Sequence, residues 1–463
     1  MESSASKVLA VALLVVLVPA ALVPITSYDF FWHLATGRWI VEHHALPLTD
    51  PFAVASDRTE WINGEWLFQA ALYSIGSLKA AAWTYAIAVA AMFAFAFFAA
   101  SRKGDRAIAL VVTAFAFAGG FDRLDARPSA AAAAILVIAL VLLERELDIA
   151  YVVLTIVWIN VHPSAVLAPL IALIVRRVHW LPLASAAALL VNPFGWKGVV
   201  APLQLTLFVR SGEFVNAEWL PSPVRLFPLL YASVAIGIAA FLISRKELWR
   251  FVVFALLAYL AISHVRNQGL YWAALPLLLT PMFPQTWTHR WLAAAAIVPI
   301  AWVFASSPHR VGLDPLNYPV DAVAQLRHTN LPGNIYNPDQ FGGFLIWAFY
   351  PQRRAITDGR NELYHTYIRE YARARTDSRA WHALLVKYRI DLAVDEYREP
   401  LDVIDARTQQ HRSMPASLAY WPRKDWALIG FDRVAMVYAR RAAFAPQVID
   451  RIELKGIVPD AAR

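Results

Sequence analysis

The sequence predicts an α-helical polytopic membrane protein, with about eleven transmembrane helices and a soluble α/β domain at its C-terminal end. Three observations carry this. Of its 463 residues, 59% are hydrophobic and only 16% charged, where a soluble domain carries about 25% charged residues. As far as residue 306 the apolar residues gather in runs that approach bilayer length. Beyond it the runs shorten and charges become frequent, over a length normal for one domain.

Read against a span of about 20 residues, the runs place helices near 7–26, 79–100, 106–121, 129–143, 149–161, 163–176, 180–193, 226–243, 249–264, 269–283 and 290–306. Residues 1–26 read as a signal peptide or as an uncleaved first span. The span is preferred, because the run lacks a clear small-x-small cleavage site. An odd number of spans puts the N-terminus in the cytoplasm and the C-terminal region outside. The loops SRKGDR, RRVHW, SRKELWR and THR then fall inside and carry the basic residues that the positive-inside rule asks for. ERELD is the exception. This topology accounts for the net charge of +8 without a nucleic-acid partner. With no cysteine, neither a disulfide framework nor a thiolate metal site exists.

The domain plan is thus a transmembrane domain over 1–306, with a first outer loop at 27–78, and an extracytoplasmic α/β domain over 307–463. In the latter NIYN, AITDG, LAVDE, WALIGF and VAMVYAR read as strands. YPVDAVAQLRH, FGGFLIWAF, YHTYIREYARAR and SRAWHALLVKYR read as helices.

The first outer loop opens with SYDFFWHLATGRW. As a helix it puts Asp29 and His33 on one face and Phe30, Leu34, Gly37 and Val41 on another. Trp32 and Trp39 suit anchoring at a bilayer interface. WINGEWLFQAALYSIG reads as a second surface helix carrying Glu65 and Gln69. Further on, His162-Pro163 breaks what is otherwise one long helix.

No P-loop, GxGxxG, HExxH or GxSxG occurs. The chemistry left is a set of ionisable groups at the outer edges of spans, where charge is costly and usually functional. Asp29 suits a general base toward a hydroxyl; its alternative is a helix cap. Glu65 is a second acid, or an N-terminal helix charge. Arg123, Arg127 and Arg266 suit bidentate phosphate contacts; their alternative is snorkelling or pairing with Asp122 and Asp125. His162 suits donation to a phosphate or sugar hydroxyl, or a backbone bond at the helix break. Asp29, His33 and Glu65 form a candidate set for a hard divalent cation.

The run DFFWHLATGRWIVEHHALPLTDPFAVASDRTEWINGEWL resembles the first outer loop of a group of bacterial polytopic proteins, which look like members of the GT-C superfamily of lipid-linked glycosyltransferases. The likeness continues through WINVHPSAVL, VNPFGW, AEWLPSP, SHVRNQGLYWAALPLL, YNPDQFGGFLIW, AITDGRNELY and WHALLVKYRIDLAV. It implies a GT-C-like fold and an inverting glycosyltransferase in a bacterial inner membrane. Such an enzyme moves a sugar from a polyprenyl-phosphate donor to a glycan, lipid or protein acceptor at the outer face. It implies Asp29 as the base and Glu65 as a second acid or metal ligand. His33, Arg127, His162 and Arg266 become substrate contacts, and Asp358 and Arg360 face the site from the soluble domain. The cofactor it allows is a divalent cation, Mg or Mn, on Asp29 and Glu65. Where many members show paired acids in the first loop, this chain has a lone Asp29. The alternatives are an oligosaccharide polymerase or ligase, and a lipid-linked sugar transporter or flippase. The helix break at His162-Pro163 favours transport. The long first loop, the soluble domain and the lack of paired halves do not.

Overall fold

The structure is a computed structural model that describes residues 4–176, 180–210, 212, 217–245, 247–283, 294–306, 310–404 and 411–461. The chain divides into two compact units. One comprises Met1–Ser27 and Ile62–Gly312; the other comprises Tyr28–Trp61 and Leu313–Arg463.

The first unit is a helical bundle. Its element starts follow local chemistry. Ser77 Oγ accepts from the Ala80 amide at 3.1 Å and caps Leu78–Ala100. Asp105 Oδ1 accepts from Ala107 and Ile108 at 2.8 and 3.1 Å and caps Arg106–Gly120. Proline occupies the first turn of Pro128–Glu144 and of Pro228–Ser244, where its missing N–H costs nothing. The helix Gln268–Leu279 is buried at every residue and packs against Leu248–Ser263, Arg106–Gly120, Pro128–Glu144 and Leu78–Ala100. A helix apolar all round belongs at the centre of a bundle. Gly119 and Gly120 let it approach: a Cβ on either would meet Trp272 at 2.5 and 2.6 Å.

Among the described residues one helix, Leu78–Ala100, is long and apolar enough to cross a membrane by length and composition. Six further apolar helices run 10–17 residues. Of the expected last span, residues 290–293 lie outside the described residues, and Ile297–Ser306 is helical. The THR loop and parts of RRVHW and SRKELWR also lie outside them. WKGVVAPLQLTLFVR, which the apolar-run reading passes over, forms the helix Trp196–Arg210. The bundle exposes large apolar side chains, including Ile149 at 77%, Leu183 at 72% and Tyr259 at 66%.

The acidic ERELD loop is matched by arginines. Buried Arg250 pairs with Glu144 and, at 2.9 Å, with Glu247, and donates to the Leu277 carbonyl at 2.8 Å. Arg176 holds Glu146 at 2.7 Å and Asp148 at 3.0 Å.

The second unit carries a four-stranded mixed sheet built from β1 (Asn334–Tyr336), β2 (Ile390–Glu396), β5 (Trp426–Phe431) and β6 (Ala435–Arg440), in the order β1-β2-β6-β5. Only β1 and β2 run parallel. A separate hairpin pairs β3 (Leu401–Ile404) with β4 (His411–Met414). The strand expected at AITDG does not form. Ala355 makes one isolated bridge to Ile335, and the chain then turns, because Asp358 and Arg360 draw it into a buried polar network. The four expected helices are present, as Val320–Thr329, Asp339–Phe349, His365–Ala374 and Ser378–Lys387.

The helix Phe30–His43 packs in this second unit against Asp339–Phe349. It is not a surface helix over its first turns, since every residue from Phe30 to Gly37 is buried. Gly343 permits this approach, and Gly342 permits that of the Thr357–Asp358 backbone. A Cβ on Gly343 would sit 3.0 Å from the Trp32 nitrogen and from the Tyr28 carbonyl oxygen; one on Gly342 would sit 2.0 Å from the Thr357 carbonyl oxygen.

Candidate active site

In the second unit, Asp29 stands at the N-terminal end of the helix Phe30–His43. Its side chain makes no cap hydrogen bond. Instead Asp29 Oδ1 accepts from Trp32 Nε1 at 3.0 Å. Trp32, expected as an interfacial anchor, is only 8% exposed and serves Asp29. His33 is buried, with its ring 3.6 Å from that of Trp32. Across from Asp29 lies Gly359, where a Cβ would come 2.7 Å from Asp29 Oδ1. The AITDGR turn thus reaches the Asp29 carboxylate through the one residue without a side chain.

The flanking residues of that turn face inward. Asp358 and Arg360 are 0% and 2% exposed. Arg360 donates to Asp358 Oδ1 at 2.8 Å, to Asp50 Oδ1 at 3.1 Å and to Tyr364 Oη at 3.2 Å, with a further short bond to Asp358 Oδ2. Tyr364 Oη lies 2.8 Å from Asp358 Oδ2 and 3.0 Å from Asp50 Oδ2. The rings of Trp61, Phe52 and Trp32 surround the guanidinium at 4.5, 5.3 and 5.6 Å. Burial works against the Arg360 charge, but Asp358 and Asp50 more than offset it and keep the guanidinium protonated. Burial pushes the Glu362 carboxyl above the ordinary range, with Asp358 and Asp29 adding to the effect against the pull of Arg360. The structure therefore brings Asp29, Asp358 and Arg360 into one neighbourhood. It adds Asp50, Gly359 and Tyr364, which residue-type reasoning missed. Asp50 lay within LPLTDPF, a turn signal, and does cap a turn by accepting from Phe52 N at 2.9 Å. Nothing local signals its second role.

In the first unit, Glu65 precedes the helix Trp66–Ser74 and His162 ends Asp148–Val161. Glu65 Oε1 lies 4.0 Å from His162 Nε2. Elsewhere in the unit, Arg127 pairs with Asp125 at 3.1 Å and with Glu218, and donates to Ser27 Oγ at 2.5 Å. Arg123 pairs with Asp122 at 2.9 Å. Arg266 stacks over Trp219 at 4.4 Å. Arg127 and Arg266 thus attach to adjacent residues, Glu218 and Trp219, of one short 3-10 turn, Ala217–Trp219. Among the described residues no three His, Cys, Asp or Glu side chains group so as to hold a metal ion. Asp29 and His33 belong to the second unit and Glu65 to the first.

The chain shares its fold, a helical bundle followed in sequence by a strand-containing C-terminal region, with solved oligosaccharyltransferase structures. It matches the archaeal oligosaccharyltransferase AglB from Archaeoglobus fulgidus, in complex with an inhibitory peptide and a dolichol-phosphate. The TM-score is 0.58 at 10% identity, over 89% of this chain and 75% of that one. It matches the apo form of the Archaeoglobus fulgidus oligosaccharyltransferase with a TM-score of 0.59 at 11% identity, over 85% and 70% of the two chains. A complex of that enzyme with Zn and sulfate gives 0.51 at 10%, over 87% and 73%. No family model and no curated protein matches the sequence. At these identities the likeness concerns the fold.

Proposed function

We propose that the chain is an inverting glycosyltransferase of a bacterial inner membrane. It moves a sugar from a polyprenyl-phosphate donor to a glycan, lipid or protein acceptor at the outer face. The observation that carries this reading is a fold shared over 89% of the chain with an oligosaccharyltransferase whose structure holds a dolichol-phosphate. The exposed apolar surface of the bundle supports a multi-pass membrane location, with about eleven spans.

In this reading Asp29 takes the proton of the acceptor hydroxyl. The acceptor oxygen attacks the anomeric carbon, and the polyprenyl phosphate leaves with the electron pair of the broken C–O bond. Trp32 and Gly359 fix where the Asp29 carboxylate lies. Glu65 is the second acid. Arg266, which stacks on an indole, and Arg127 contact the donor phosphate and stabilise the charge that develops on it. His33 and His162 shape the substrate contacts. Asp358 and Arg360 act by holding the turn that faces Asp29. No step is routed through a metal ion, so Mg or Mn dependence is an outcome of the assay.

The test is transfer of radiolabelled sugar from membrane-extracted polyprenyl-phosphate donors by the full chain in detergent. Asp29→Asn is expected to lower the rate by about 100-fold or more. Equal transfer by the two proteins moves the base elsewhere. No transfer by the wild type across a broad donor and acceptor panel overturns the reading. A second reading, an oligosaccharide ligase that uses a lipid-diphosphate donor, is favoured by the name of the neighbours. It is distinguished by the mass of the product, which then grows by a whole oligosaccharide.

A further inference from the structure

We infer that His162 is a positioning residue for Glu65, and that it acts as the neutral imidazole with its proton on Nε2. The inference rests on the reading above, in which Glu65 takes part in transfer. The Ser164 backbone N–H donates to His162 Nδ1 at 3.1 Å. A backbone N–H has no lone pair to offer, so Nδ1 must be the acceptor. The neighbouring hydroxyl agrees. Trp158 Nε1, a donor only, bonds Ser164 Oγ at 3.0 Å, and the Ser164 hydroxyl proton is left for Nδ1, 2.8 Å away. A neutral ring that accepts at Nδ1 carries its proton on Nε2, and Nε2 is the edge that faces Glu65 Oε1 at 4.0 Å. At 4.0 Å this is an approach and not a hydrogen bond, and contacts of catalytic groups tighten when substrate binds.

The backbone explains why the ring sits there. Pro163 ends the helix at His162, whose extended conformation (φ −160°, ψ 141°) turns the ring toward Ser164. The residue next to Glu65 is held by the same segment. Trp66 Nε1 donates to Asn160 Oδ1 at 2.8 Å, and the Asn160 amide is fixed by the Ile156 and Val191 carbonyls at 2.8 and 2.9 Å. Glu65 and Trp66 are thus met in register by His162 and Asn160. The helix break is a clamp on the start of Trp66–Ser74.

Two substitutions separate this role from plain capping. His162→Asn keeps an acceptor for the Ser164 amide and removes the Nε2 donor. His162→Gln places an amide donor near the Nε2 position and loses the cap. The measurements are nitrogen-15 NMR of the histidines and carbon-13 NMR of the glutamate carboxyls on the full chain in detergent. His162 is assigned by its loss in either variant, and Glu65 by its loss in Glu65→Gln. The expected result is an unprotonated Nδ1 with a protonated Nε2, and a Glu65 carboxyl resonance that moves in His162→Asn and stays in place in His162→Gln. The opposite tautomer, or a Glu65 resonance unmoved in His162→Asn, overturns the inference. If Asn prevents folding, the tautomer in the wild type decides. In the transfer assay Asn is expected to lower kcat about 100-fold, and Gln to restore most of it. If the wild type transfers nothing, the function proposed above fails, and the two NMR readings still decide the role of His162.

Discussion

Arg360 is enclosed by Asp50, Asp358 and Tyr364 and by three aromatic rings, so removing its charge strands two buried carboxylates. Breaking such a network by deleting one partner costs about 3–5 kcal/mol. Arg360→Leu is therefore expected to lower the melting temperature of the purified chain strongly, and Asp50→Asn by less, because the amide still accepts from Phe52. An unchanged melt for Arg360→Leu would remove the network from the account of stability. Glu362 gives a prediction with a definite sign in pH. The folded chain keeps its proton where the unfolded chain has released it. This group's contribution is complete below its ordinary value of 4.5 and is lost as pH rises through the higher folded value. Glu362→Gln should therefore gain stability relative to wild type between pH 4 and pH 7. A constant difference across melts in that range contradicts the burial.

At the scale of elements, the helix Asp339–Phe349 uses two glycines for close approach, Gly343 to Phe30–His43 and Gly342 to the Thr357–Asp358 backbone. A methyl on Gly342 meets backbone, the Thr357 carbonyl oxygen at 2.0 Å, which cannot swing aside. A methyl on Gly343 meets atoms at 3.0 Å, which a shift of a few tenths of an ångström relieves. Over-packing of a tight contact costs about 1–3 kcal/mol. Gly343→Ala should fall within that range, and Gly342→Ala at or beyond its upper end. Equal melts for the two variants would mean that Gly342 is not packed more tightly than Gly343. The FGGF motif showed a helix in the sequence but not its partner. The amphipathic spacing of DFFWHLATGRW was legible too, yet its aromatic face met protein and not lipid. Periodicity fixes which residues share a face and is silent on what covers that face.

At the scale of the whole molecule, the lack of cysteine makes topology directly testable. Ser378→Cys, on the exposed start of Ser378–Lys387, should react with a membrane-impermeant maleimide on intact spheroplasts. Arg102→Cys, in the basic loop after Leu78–Ala100, should react only after permeabilisation. The reverse pattern would invert the orientation. By itself the sequence determined the helical and strand-containing regions and the helix break at His162-Pro163. These depend on composition and local backbone preference, which any stretch of chain carries with it. It also marked Asp29, Glu65 and His162 as notable, because ionisable residues stand out beside apolar runs, while Arg360 entered only through the family resemblance. Only the tertiary structure decided their company. It folded Tyr28–Trp61 in with residues 313–463, set Gly359 against Asp29, joined Asp50 to Arg360 across 310 positions of sequence, and faced His162 to Glu65. Contacts between segments so far apart arise from the packing of the folded chain, and no local pattern encodes them.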